Sequence, residues 1–300
     1  LEAYTVIERF YEPHISNKAY LERQWSENIA FMLGYHYHTY NEELGGLVPR
    51  RRRRRREIRE WRNFIRPFVE RGIANLTGLT PGWVARPDTL DHVDEEASRV
   101  AERVASHYWR VDGMDEVFQE FALWAKVCGT GILKVYWDTQ AGESSIVPEI
   151  AEAEDGSLFM TGKETLQFEG DVRTEAVNPF HVFVDPMTPR RADLDRILQL
   201  TRRPLTWFRR AFPLRGIHVQ PEANDESDPY SGNQVLNFIG PGGVYGGSYD
   251  GQITHADWAT LYEYWEEPSI EHPRGRYIAK AGPIVLANTI NPCPKHNCHR

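Results

Sequence analysis

Three hundred residues, 41% of them hydrophobic and 12% aromatic, are enough for one large packed domain or two, and they exclude a disordered chain. A formal net charge of −8 excludes a surface that grips nucleic acid everywhere, so any such contact has to be local or weak. No apolar run approaches the roughly 18 residues of a membrane-spanning helix, no charged-then-apolar leader opens the chain, and Cys128, Cys293 and Cys298 are too few for a disulfide scaffold; together these predict a soluble, non-secreted protein in a reducing compartment.

The first predicted element is a helix from Asn17 to Tyr40, where Tyr20, Leu21, Trp25, Ile29, Met32 and Leu33 recur at intervals of three and four and form one core-facing stripe. Gly34 interrupts or ends it. His36 and His38, two residues apart, do not share a helix face and make no metal pair. Arg50, Arg51, Arg52, Arg53, Arg54, Arg55 and Arg56 come next as an unbroken basic run. Like charges at this density resist packing unless water or a polyanion surrounds them. The run therefore reads as a salt-sensitive phosphate contact, as a solvated surface, or as an unusual insertion. Because guanidinium groups are almost never fully buried without partners, it is expected to be dispensable for the chain's own fold.

Glu57 to Thr77 carries a second helical stripe of Ile58, Trp61, Phe64, Ile65, Phe68, Val69, Ile73 and Leu76, predicting a buried helix kinked at Pro67. A third helix spans Asp91 to Tyr108, with Asp91, Asp94, Glu95 and Glu96 favourably placed at its N-terminal end. A fourth spans Asp112 to Cys128 and carries Val117, Phe118, Phe121, Ala122, Trp124 and Ala125. At Gly129-Thr130-Gly131 the pattern changes from helix to strand. A dinucleotide site is excluded there, because that fingerprint needs a third glycine and runs from strand to helix.

Beyond the glycines, short strands are predicted at Ile132 to Trp137, Ser145 to Ile150, Ser157 to Thr161, Thr165 to Glu169, Val172 to Val177 and Phe180 to Val184, forming a small sheet or barrel. Asn178-Pro179 and Asp185-Pro186 punctuate the last two as turns. A short helix, WFRRAF, opens after Pro204 with Thr206 as N-cap and closes at Pro213. From Pro221 to Gln252 the composition turns to Asp, Asn, Ser, Gly and Pro, the mark of a long flexible insertion; its glycines lack the Gly-Lys-Ser/Thr of a phosphate loop. Trp258 to Glu267 predicts a strand rejoining the earlier sheet, and Arg276 to Ala279 with Ile284 to Asn288 a hairpin. Cys293, His296, Cys298 and His299 are too crowded for the paired modules of a structural zinc site, and no metal is expected on them. The fold class is α+β: a helical part over residues 1–128, then a β-rich part over 129–300.

Several of these segments, in this order, resemble the wing region of the portal (head-to-tail connector) proteins of tailed bacteriophages. Trp25, Asn28, Phe31 and Gly34, followed by His36 and Tyr37, are similar to a pattern near the start of portal chains. Pro81, Val84 and Pro87, the helix start at Asp94 to Ala97, and the helix, glycine-x-glycine, strand and Trp-Asp ending of AKVCGTGILKVYWD extend the resemblance. So do Asn178-Pro179, Asp185-Pro186, Ala192-Asp193, the aromatic-acidic strand YEYWEE, and Asn291-Pro292 after the hairpin.

The resemblance implies a structural subunit without cofactor or catalysis, in a ring of roughly twelve copies at one capsid vertex. The partners it implies are the capsid protein, the packaging motor (terminase), a tail adaptor and double-stranded DNA, with no membrane. It places the chain in the virion, assembled in the host cytoplasm. Leu1 in place of methionine and a continuing turn at Arg300 point to a piece of a longer chain, with the family's stem and clip expected beyond Arg300. The rival expectation is a nucleic-acid-binding enzyme or regulator using the arginine run, which predicts a polar cleft with perturbed titratable groups.

Overall fold

The computed structural model describes residues 2–41, 46–51, 62–78, 82–89, 91–139, 141–152, 158–185, 188, 194–221 and 258–292, with residues 2, 46, 148–152 and 158–167 given by backbone alone. Its elements are helices first and strands later, an α+β chain as the periodicities predict. The compact units, however, do not divide at residue 128. One gathers Leu1–Pro81, Phe118–Leu133 and Ala176–Arg300, and the other Gly82–Val117 and Lys134–Glu175.

The first unit is built on helix α1, Glu2–Leu33, which starts well before the predicted Asn17 and contains Pro13. It stops at Gly34, whose φ of 97° is the left-handed conformation of a helix C-terminus, with Tyr35 N–H donating to the Ala30 carbonyl at 2.8 Å. The chain then turns into a hairpin of β1, His38–Asn41, and β2, Gly46–Pro49, where the sequence pattern extended the helix to Tyr40.

Helix α1 serves two cores. Its N-terminal half buries Ala3, Ile7 and Phe10 against Phe183, Leu198, Leu200, Tyr264 and Ile278 of a sheet. Its C-terminal half buries Trp25, Ile29 and Met32 against Trp124, Val127, Cys128 and Phe180. Two lysines fasten it. Lys18 Nζ donates to the Phe180 and Val182 carbonyls at 2.6 and 2.9 Å and stands 4.0 Å from the centre of the Phe183 ring. Lys280, buried in the sheet, pairs with Glu8 and faces the rings of Tyr4 and Tyr262.

That sheet has five strands in the order β11-β10-β9-β8-β7. They are β7, Val182–Val184, β8, Arg196–Pro204, β9, Trp258–Glu266, β10, Arg276–Ala281, and β11, Ile284–Thr289, all antiparallel to their neighbours. Strand β9 lies between β8 and β10, with Leu198 opposite Tyr264, so the predicted strand at Trp258 does rejoin an earlier one. The sequence reading missed β8. Ile197, Leu198, Gln199 and Leu200 are all buried, so both faces are covered and no alternation of polar and apolar residues marks the strand. The residues read as a strand from Phe180 begin instead as a 3-10 turn, Pro179–His181, because the Asn178 side chain accepts the Phe180 N–H at 3.0 Å.

Helix α2, Ile65–Thr77, begins after Asn63, whose side-chain oxygen accepts the Ile65 and Arg66 N–H groups and whose amide donates to the Met32 carbonyl at 2.7 Å. Pro67 sits in its first turn, where an N–H would have no helical partner, and so helps start the helix rather than kink it. Helix α5, Leu205–Ala211, has Pro204 rather than Thr206 at its N-cap.

The second unit contains helix α3, His92–Val111, and the opening of α4, Met114–Cys128. Strand β3, Ile132–Asp138, pairs with β6, Asp171–Val177. Strands β4, Ser144–Glu152, and β5, Leu158–Phe168, form a long antiparallel hairpin, so the two predicted strands at Ser157 and Thr165 are one, with Ser157 outside the described residues. Among the described residues the small sheet expected in the β-rich part has five strands, and separate two-stranded ribbons accompany it.

Gly170 (φ 82°) joins β5 to β6 where a Cβ would lie 2.6 Å from the Trp137 indole nitrogen. Gly170→Ala is therefore expected to cost about 1–3 kcal/mol and to displace the indole, seen as a lower thermal midpoint with altered tryptophan fluorescence.

Candidate interaction surface

The strongest feature outside the cores is apolar surface left in water. In α2 only Val69 packs against the core of the first unit, and no residue of the helix is buried, contrary to the buried helix its stripe predicts. Phe64 and Phe68 are 74% and 77% exposed, and Ile65 and Leu76 join them on the outer side. Periodicity identifies an apolar face but not what covers it. Here the apolar residues are wider than one buried stripe, and four of the six described ones, Phe64, Ile65, Phe68 and Leu76, turn away from the core. Arg62, Arg66, Arg71 and Glu70 flank this face, all exposed.

In the second unit α3 buries a single side chain, Trp109, whose indole N–H donates to Asp115 at 2.9 Å. Val93, Ala97, Val100 and Val104 recur every three or four residues, with Val111 seven further on, and at about 100° per residue the five fall within an arc of about 60°. All five are exposed, Val93 at 69% and Val100 at 56%. This narrow seam has the spacing of helices that pair with other helices, on which β-branched residues suit close contact. Asp88, Asp91, Asp94, Glu95 and Glu96 stand where the helix begins, four of them ahead of or within the first turn where its dipole favours negative charge.

The first unit also holds an open cleft of about 660 Å³, between α1 and the ends of β8, β9 and β10, with Arg9, Arg196, Arg276, Glu266, Glu271 and His272 on its walls. Two of its arginines have side-chain partners. Arg196 Nε lies 3.8 Å from Glu266, and Arg276 Nε donates to Asn288 at 3.1 Å. Burial, then the Glu266 charge, pushes the Tyr264 hydroxyl up from its ordinary value, so it stays a neutral phenol. The cleft is a polar seam, with no nucleophile poised beside a base. Cys128 is no nucleophile either, since burial pushes its thiol up to about 12.

Of the arginine run, Arg50 and Arg51 are exposed at the end of the β1–β2 hairpin, where Arg50 N–H donates to the Tyr37 carbonyl at 2.6 Å; Arg52 to Arg56 lie outside the described residues. So do Cys293, His296, Cys298 and His299, the stretch predicted as an insertion except Pro221, and the Ala192-Asp193 pair. Among the described residues no group of three or more His, Cys, Asp or Glu side chains could hold a metal, and no helix is long and apolar enough to cross a membrane. The faces of α2 and α3 were legible as apolar stripes; that of α2 was expected to be buried and is exposed. The cleft was not legible, because Arg9 sits in the unpredicted half of α1 and Arg196 in the unpredicted strand. Compared with known proteins, the chain matches no family model and no curated sequence.

Proposed function

We propose that this chain is a structural subunit of a homo-oligomeric ring of the portal kind, set at one capsid vertex of a tailed phage, where it forms the passage for DNA packaging and ejection and the junction of head and tail. The observation that carries this reading is the uncovered apolar surface of α2 and α3. Monomers rarely leave contiguous apolar patches of this kind in water, and a cyclic assembly covers them. The order of the portal-like segments supports it further, notably α4 ending at Cys128, Gly129 in the left-handed conformation (φ 72°), and β3 closing on Trp137-Asp138.

A net charge of −8 also suits a passage, because a wall that bound phosphates tightly would arrest the DNA moving through it. The subunit then performs no chemistry. The capsid protein, the terminase motor, a tail adaptor and the double-stranded DNA are its partners, and its place is the virion. Mass photometry of the purified chain is expected to show one large closed species of roughly twelve copies. A monomer at every concentration overturns the reading.

A further inference from the structure

Resting on that ring reading, we infer that neighbouring copies are joined by a heterologous helix pair, the exposed stripe of α2 on one copy lying along the valine seam of α3 on the next. Both faces are apolar, and the charges beside them are opposite. Among the described residues around α2 stand Arg62, Arg66 and Arg71 against one acid, Glu70, which pairs with Arg66, while Asp88, Asp91, Asp94, Glu95 and Glu96 gather where α3 begins. Two copies of α2 face to face would bring guanidinium groups together, and two parallel copies of α3 would bring carboxylates together. An antiparallel α3 pair sets those acids near Arg103 and Arg110 of the other copy, yet it leaves Phe64 and Phe68 three-quarters exposed. Laying α2 on α3 of the next copy is the arrangement that covers both faces and matches both charges.

Geometry agrees. At 1.5 Å per residue α2 is about 20 Å long and the seam from Val93 to Val111 about 27 Å, so one can lie along the other. Each copy gives one face and receives on another, which is the head-to-tail relation that closes into a ring. The contact is small beside the roughly 1,600 Å² of a standard interface. It holds because a closed ring clasps every copy on two sides, and its charged margin makes it weaken with salt.

The test uses the full chain with Cys293→Ser and Cys298→Ser; Cys128 is buried and its thiol, pushed up to about 12, does not react. Tagged chains carrying Phe68→Cys are mixed with untagged chains carrying Val100→Cys, allowed to assemble, and treated with a short bis-maleimide. The expected product joins a tagged to an untagged chain, at least tenfold more abundant than any dimer from either variant alone. A Val100→Cys dimer formed alone shows α3 on α3 and overturns the inference. So does a link within one chain carrying both cysteines, which shows the faces covering each other. Val100→Glu, at an exposed position, is expected to keep its thermal midpoint and lose the ring. A ring that survives it, with no cross-link in the mixture, overturns this contact and leaves the ring reading standing. If the parent chain forms no ring, the ring reading fails, and this inference with it.

Discussion

Between pH 7 and pH 4 the protein is expected to lose about 3 kcal/mol of stability through His181 alone. Burial, with the Lys18 charge adding to it, lowers the His181 imidazole to about 3 from its ordinary value. The unfolded chain takes up this proton near pH 6.5 while the folded one resists it to about 3, so the stability is whole above the unfolded value and drains away as pH falls through the window between them. Glu22 acts in the opposite sense, because burial raises its carboxyl more than Lys18 lowers it. A His181→Asn variant isolates the histidine share: its denaturation midpoint is expected to vary far less over this window than that of the parent. An equal acid loss in both would refute the assignment. Lys18 gives the alkaline counterpart. Its ammonium is lowered to about 8 by burial, against the pull of Glu22. The unfolded chain therefore holds this proton longer, and stability climbs by about 2 kcal/mol from pH 7 to pH 9.5. That rise is expected to vanish in Lys18→Met.

Trp124→Ala is expected to cost about 3–5 kcal/mol, whereas Phe68→Ala costs within about 0.5 kcal/mol. Trp124 is 1% exposed, packs among Trp25, Ile29, Met32 and Phe180, and donates its indole N–H to Glu120 at 3.3 Å. Truncating it opens a cavity where α1, α4 and the Phe180 turn meet. Phe68 is as large an apolar residue in ordinary folding terms, but it has nothing to lose in the isolated subunit. Urea midpoints at unchanged slope measure both. Equal losses in the dissociated subunit would mean that α2 is covered within its own chain, which would remove the main support for its role between copies.

What could be read from the residues depended on how each element is buried. Helices α3 and α4 have one apolar stripe and clear ends, and both were predicted within a few residues. The switch at Gly129 was legible because only glycine enters the left-handed conformation freely, and strand β9 because its aromatic residues alternate with acidic ones. Strand β8 hid because it is covered on both faces, and the first half of α1 because Pro13 and the charged residues around it break the stripe. The candidate surface was visible as composition and invisible as surface. Periodicity places Phe64, Phe68 and the α3 valines on faces, but only the fold reveals that among the described residues these side chains stand exposed.

The double use of α1 sets a timetable for synthesis. Ile7 emerges from the ribosome long before its core neighbours Leu198, Tyr264 and Ile278, the last of them on β10. At 5–20 residues per second the helix waits roughly 14–54 s for that strand, with Ala3, Ile7 and Phe10 having no sheet to cover them. Only the half bearing Trp25, Ile29 and Met32 can settle early, against α4. Until then the nascent chain carries a half-docked helix, the kind of client that holding chaperones bind, and its sheet closes only when β8, β9 and β10 are all present.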